Sequence, residues 1–128
     1  MNIPKDLYYS EEHEWVRVEE EKVYIGITDY AQSQLGDIVF VELPMVDEEV
    51  EVGGEVGVIE SVKAVSDMYS PVSGKIVEVN EELETSPELL NEDCYQNFIL
   101  VVQMDNPDDI NELMSAEKYE KYCSELED

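Results

Sequence analysis

Gly54-Glu-Val-Gly-Val-Ile-Glu-Ser-Val-Lys-Ala-Val-Ser-Asp-Met-Tyr-Ser-Pro-Val-Ser-Gly74 organises the rest of the chain. Two β-prone runs, Val56 to Ile59 and Ala64 to Tyr69, flank a single lysine, Lys63. No other basic residue lies between Lys22 and Lys75. The pattern predicts a hairpin with Lys63 at its tip, although Ser61-Val62-Lys63-Ala64 lacks the Asn-Gly or Gly-X of a tight two-residue turn. An amine held between two strands can stand clear of the protein on a rigid stalk. That is the geometry a covalent arm needs, since a tethered group is presented at high effective concentration to whatever docks beside it. From spacing alone, the simpler reading is a solvated lysine.

Outward from this hairpin the chain reads as short strands joined by turns. His13 to Val18 is expected to be a strand with Val16 and Val18 on one face and Trp15 on the other. Val23, Ile25 and Ile27 alternate with Tyr24 and Gly26 as in a half-buried strand, and Gly26 marks a bulge or a close backbone approach. Thr28 or Asp29 offers an N-cap to a short helix over Tyr30 to Leu35, which Gly36 closes. Ile38 to Val41 is apolar on both faces and predicts a strand buried on two sides, ended by Pro44. After the hairpin, Pro71 and Gly74 form a turn and Lys75 to Val79 returns as a strand. Gly54-Glu-Val-Gly-Val-Ile-Glu60 faintly echoes Gly74-Lys-Ile-Val-Glu-Val-Asn80, which suggests two halves of a barrel or sandwich.

Further along, Ser86 with Pro87 reads as a helix start, Phe98 to Val102 as a central strand, and Asn106 with Pro107 as a second helix start. Ile110, Leu113 and Met114 fall on one face of that helix. In the last helix Ala116, Tyr119, Cys123 and Leu126 fall on one stripe, which predicts packing against the β core.

The chain has 128 residues, enough for one domain with a real core. Asp plus Glu number 33 against 7 Lys plus Arg, a net charge of −26. Such a field repels phosphate backbones and anionic lipid, so neither nucleic acid nor a membrane surface is expected as a partner. It suits docking onto basic patches, and solubility or a halophilic source would account for it equally. No charged-then-apolar leader and no bilayer-length apolar run is seen, which reads as a cytoplasmic chain or one already trimmed. Cys94, Cys123 and the lone His13 do not form a metal-ligand pattern, and His13 is expected to pack against Trp15. No nucleophile–base pair or phosphate-binding glycine loop is visible, so no catalytic residue and no metal site is assigned.

Glu60-Ser-Val-Lys-Ala-Val-Ser-Asp67, followed by Ser70-Pro-Val-Ser-Gly-Lys-Ile-Val-Glu-Val-Asn80, resembles the lipoyl-attachment region of the glycine cleavage H-protein family. His13-Glu-Trp-Val16, Gly26-Ile-Thr-Asp-Tyr-Ala-Gln32, Leu35-Gly-Asp-Ile-Val-Phe-Val-Glu-Leu-Pro44 and Ser86-Pro-Glu-Leu-Leu-Asn91 resemble it in the same order and spacing. The likeness runs from about Tyr8 into the C-terminal helix. It implies a mainly β hybrid barrel–sandwich with short flanking helices and a C-terminal helix. The implied single domain covers 1–128, with a lipoyl-binding core at about 22–104.

The resemblance further implies a carrier with lipoate in amide linkage to Lys63 and no turnover of its own. Its partners would be a pyridoxal-phosphate glycine decarboxylase (the P protein), an aminomethyltransferase (the T protein), dihydrolipoamide dehydrogenase (the L protein) and a lipoyl-attaching enzyme. The chain itself is expected to be a monomer. In lipoyl acceptors an acidic residue three before the lysine and a glycine eleven after it aid recognition, here Glu60 and Gly74. As structural residues these would be a strand-end charge and a turn glycine with positive φ. The loaded arm carries an ammonium that favours a carboxylate, and Glu14 and Asp67 are the candidates. Plainer roles for these two are a strand-face charge and an edge charge that discourages sheet pairing.

The chain departs from the family at Cys94-Tyr-Gln-Asn-Phe98, where Phe98 stands in place of tryptophan, and near Glu20, where the usual hairpin glycine is missing. Other readings kept open are a lipoyl reservoir serving protein lipoylation, a biotin carrier, disfavoured by Val62 and Ala64 beside the lysine, and an unmodified acidic interaction domain.

Overall fold

The computed structural model describes residues 1–126. Two antiparallel sheets hold the chain together. The larger has six strands in the order β1 (Tyr8–Tyr9), β2 (Glu14–Glu19), β3 (Lys22–Ile27), β9 (Leu100–Met104), β8 (Gly74–Val79) and β5 (Glu49–Val50). The smaller has β6 (Glu55–Ser61) between β4 (Ile38–Glu42) and β7 (Val65–Tyr69). The inward faces of both sheets supply one core, including Val16, Ile25, Ile59, Val72, Ile76, Leu100 and Val102. The echoing segments after Gly54 and Gly74 accordingly fall in different sheets, as β6 and β8. This is the mainly β, two-sheet arrangement expected, with short helices at its edges.

A second apolar cluster lies on the other side of β2. Trp15 packs there with Leu7, Tyr9, Ala116, Tyr119 and Cys123. The expectation for β2 was therefore half right. Val16 and Trp15 are both fully buried and Val18 is exposed, because the C-terminal helix α4 (Ala116–Leu126) covers the face that a simple half-buried strand would leave wet. Ala116, Tyr119 and Cys123 make the buried stripe of α4, and Leu126 is exposed. The stripe is held by Tyr119, which stacks on Tyr9 at 4.6 Å and shares a 2.6 Å hydrogen bond with Thr28. His13 joins this network through Nδ1, 2.8 Å from the Tyr119 hydroxyl, and stacks on Tyr30 rather than Trp15. Gly26 leaves the space Trp15 fills, since a Cβ there would lie 2.6 Å from the indole.

Local signals set most ends. Thr28 caps α1 (Asp29–Leu35) by accepting from the Ala31 amide, and Gly36 closes it at φ 79°. Asn106 caps the turn that follows it, which is a 3-10 helix over Pro107–Glu112. Other ends fall elsewhere than expected. Ser86 and Pro87 do not start a helix. They join two single turns, α2 (Glu82–Thr85) and α3 (Leu89–Glu92), with Ser86 at the C-terminus of the first. The central strand is displaced two residues, to Leu100–Met104.

Two further expectations fail for tertiary reasons. β4 is not buried on both sides: Ile38 and Val41 are buried, while Val39 is 54% and Phe40 46% exposed. An irregularity in the β4–β6 register between Ile38 and Phe40 breaks the alternation. Gly74 is not a positive-φ turn residue. It opens β8, paired with Val50 and Met104, and a Cβ there would stand 2.0 Å from the Gln103 carbonyl oxygen. Close approach of the neighbouring strand, not backbone freedom, requires glycine.

Candidate functional site

The hairpin tip lies where β6 turns into β7. The Ser61 amide donates to the Ala64 carbonyl at 2.8 Å, closing a two-residue loop of Val62 and Lys63. No Asn-Gly is needed, because neither Val62 nor Lys63 takes a positive φ; the Ser61 hydroxyl accepts from the Ala64 amide at 3.0 Å and the Lys63 amide at 3.3 Å. A serine side chain thus supplies the turn hydrogen bonding that a primed turn would otherwise provide. Lys63 is exposed, and among the described residues it takes no part in the ion pairs, which are Arg17–Glu19 and Lys75–Asp47.

The tip does not swing freely. The Val62 amide donates to the Asp37 carbonyl at 3.0 Å, tying the loop to the turn between α1 and β4. Lys63 lies over Gly36, with Cε 3.4 Å from where a Cβ would stand. That turn is itself locked by Asn91 of α3. Asn91 Nδ2 donates to the Gly36 carbonyl at 2.8 Å and to Gln32 Oε1 at 3.0 Å, and Oδ1 accepts from the Ile38 amide at 2.9 Å. Asn91 had no role in the sequence reading beyond ending a family-like motif. Its importance is a matter of a side chain bridging a turn far away in sequence, which no local signal reports.

β7 leads from the tip toward a second feature. Its last residue, Tyr69, donates its amide to Glu14 Oε2 at 3.2 Å, and Ser10 Oγ donates to Glu14 Oε1 at 2.7 Å. Glu14 is only 2% exposed, and that burial raises its carboxyl pKa to about 7 despite both hydrogen bonds. Beside it is a cavity of about 230 Å³, lined also by Tyr9, Tyr69, Pro71, Leu113 and Met114. A carboxyl half-ionised near neutrality, in a cavity that joins these apolar side chains to Glu11, Glu12 and Glu112, is suited to receive a small cation and lose its proton to do so.

Of the other named residues, Glu60 is half-buried and pairs with Phe40 on one side and Val65 on the other. Asp67 is exposed on β7 opposite Val58 and does not line the Glu14 cavity. Gly74 lies in the larger sheet, away from the hairpin's own ladder. The structure therefore sets Lys63 over Gly36, in a loop tied to Asp37 on a turn that Asn91 braces, and brings Glu14 to the far end of β7. Six residue steps separate Lys63 from Tyr69, roughly 20 Å of extended chain.

The departures from the family pattern have local consequences only. Phe98 packs edge-on against Tyr24, with centroids 5.2 Å apart. Glu20 occupies the left-handed region at φ 60°, where the missing glycine would sit without strain.

Comparison with known proteins agrees with this geometry. A family model described as Glycine cleavage H-protein matches residues 7–126. A glycine cleavage system H protein of Syntrophomonas wolfei subsp. wolfei is 62% identical over 123 residues, covering 96% of this chain and 95% of the relative. One from Halalkalibacterium halodurans is 58% identical over 125 residues, covering 97% and 98%. Among solved structures, the crystal structure of a glycine cleavage system H protein from Mycobacterium marinum superposes with a TM-score of 0.89 at 37% identity, covering 95% of this chain and 99% of that one. The chain belongs to the glycine cleavage H-protein family.

Proposed function

We propose that this protein is the lipoyl carrier of a glycine cleavage system, with lipoate in amide linkage to Lys63. On this reading it moves the aminomethyl group of glycine from a pyridoxal-phosphate decarboxylase to an aminomethyltransferase, and dihydrolipoamide dehydrogenase restores the disulfide. The observation that carries it is Lys63 itself: exposed and outside the ion pairs found, on a loop pinned at Val62, in a chain matched along nearly its whole length by the family. Bound at Lys63, lipoate supplies a disulfide that accepts the carbon group and is reduced as it does so.

The chain's own residues do the holding. Lys63 Nζ, once deprotonated, attacks an enzyme-activated lipoyl carbonyl; the C–N bond forms as the leaving group departs, and the remaining extra proton passes to solvent. The pinned loop keeps that amine at one place relative to the sheet. Glu60 and Gly74 serve recognition by the attaching enzyme, Glu60 directly and Gly74 by allowing β8 and β9 to close on each other. Glu14 holds a proton while the cavity is empty and gives it up when an ammonium enters, Glu11, Glu12 and Glu112 in the same lining favour that cation, and Asp67 adds negative charge along the strand between tip and cavity. No turnover is assigned to the chain itself.

The test is direct. Intact mass of protein from a lipoate-competent host should show one lipoyl addition, absent in Lys63→Arg. In a mixture of the four purified proteins, Lys63→Arg should abolish glycine oxidation. Undiminished oxidation would end this reading.

A further inference from the structure

We propose that the outer face of the β4–β6–β7 sheet, centred on Phe40 and Val65, is the surface that the lipoyl-attaching enzyme covers; this rests on Lys63 being the acylated residue. Directly paired residues of antiparallel strands share a face. Phe40 pairs with Glu60 and Glu60 with Val65, so the three form one row across the sheet. It is the last row of the β6–β7 ladder before the loop that carries Lys63. Phe40 is 46% and Val65 66% exposed, and Val62 on the loop is 69% exposed. The next row on this face is Glu42, Val58 and Asp67.

The fold leaves these apolar side chains only partly covered. The register irregularity between Ile38 and Phe40 puts Phe40 outside, where unbroken alternation from buried Ile38 would have turned it inward. Bulges of this kind re-aim side chains at functional edges. Exposed apolar side chains on both sides of the Glu60 carboxylate, beside a reactive group, form a mixed surface of the kind partner proteins cover. The patch continues past Phe40 into a shallow groove holding Leu43, Met45 and Val46, and Met45 can repack against a partner.

Charge and reach name the occupant. The three strands contain no Lys or Arg; Glu60 stands between Phe40 and Val65, and Glu42 and Asp67 lie in the next row. The complementary surface is an apolar patch rimmed by Lys and Arg. An enzyme that acylates bare Lys63 must bring its reacting carbon within one lysine side chain of the tip, so it cannot avoid the adjacent row. A partner that works on the extended arm can dock farther away.

The experiment measures lipoylation of the unmodified full-length chain by a lipoate–protein ligase supplied with lipoate and ATP. Phe40→Thr and Val65→Thr should each raise KM roughly tenfold, as loss of a buried interface anchor does, with kcat and melting temperature close to the parent's. Glu42→Lys should raise KM at low salt and lose that effect at high salt. Val18→Thr, an exposed valine on β2 in the other sheet, should change nothing. Wild-type KM in both threonine variants would overturn the proposal, as would normal lipoylation followed by slowed glycine decarboxylation. Should the variants melt early, hydrogen exchange of the parent decides. Slowed exchange at Val39 to Val41 on adding the ligase supports the assignment, and slowing confined to the Lys63 loop refutes it. Failure of the carrier reading looks different, because the parent chain would then accept no lipoate at any concentration.

Discussion

Replacing Glu14 by glutamine should stabilise the protein at about pH 8 and leave its stability unchanged at about pH 4. Glu14 titrates near 7 in the folded protein because burial disfavours its charged form, against an ordinary 4.5. Below 4.5 the carboxyl is protonated whether the chain is folded or not, and there is no penalty. As pH rises from 4.5 through 7 the unfolded chain releases the proton first, so stability falls across that window and stays lowered above it. The gap corresponds to about 3 kcal/mol, and hence to roughly 10 °C in melting temperature for a chain of this size. Glutamine keeps both hydrogen bonds if Oε1 faces the Tyr69 amide and Nε2 donates to Ser10 Oγ, which already accepts from the Glu14 amide at 3.1 Å. Urea unfolding of both proteins at several pH values isolates the effect, because the many other carboxylates cancel in the difference. A difference flat between pH 4.5 and 7 would refute the reasoning. The same variant, once loaded, should lose its aminomethyl group to water faster, so stability and function should move in opposite directions.

Gly74→Ala should destabilise by about 3 kcal/mol, the upper end for overpacking, since the clash at 2.0 Å is with backbone in the β8–β9 pairing; a near-neutral result in urea titration would show that the strands can part. Glu20→Gly should stabilise by about 1 kcal/mol by relieving the left-handed backbone at φ 60°, measured by thermal melting, and a loss of stability would mean the conformation is not strained. Asn91→Ala removes three hydrogen bonds and should cost about 2 kcal/mol. It should also speed amide exchange at Val62 and Ile38 while β9 amides stay protected. Equal acceleration everywhere would indicate general destabilisation instead of a loosened tip.

Much of the site was legible in one dimension. The lysine between two β-prone runs, the Thr28 and Gly36 caps of α1 and the Asn106-Pro107 start all rest on interactions within a few residues, and the structure has each of them. Membership of the family was legible too, because its motifs are contiguous and keep their order. What escaped were features made by residues distant in sequence. Periodicity reports that a strand has an apolar face, not what covers the other one, so Trp15 was left without the α4 helix that buries it. It reads Ile38 to Val41 as apolar on both faces, and reports neither that the outer face stays exposed nor the irregularity that turns Phe40 onto it. The positive-φ turn expected at Gly74 is not what requires glycine there, because the carbonyl that excludes a side chain belongs to Gln103, a residue of another strand. Glu14 was chosen as a carboxylate within a family-like motif, yet its raised pKa comes from burial, which only the packed fold supplies. Sequence alone determined which amine stands at a hairpin tip, because turns and caps are local. The packing of two sheets and a helix decided how firmly that amine is held and which carboxyl keeps its proton, because desolvation and close approach exist only once distant strands meet.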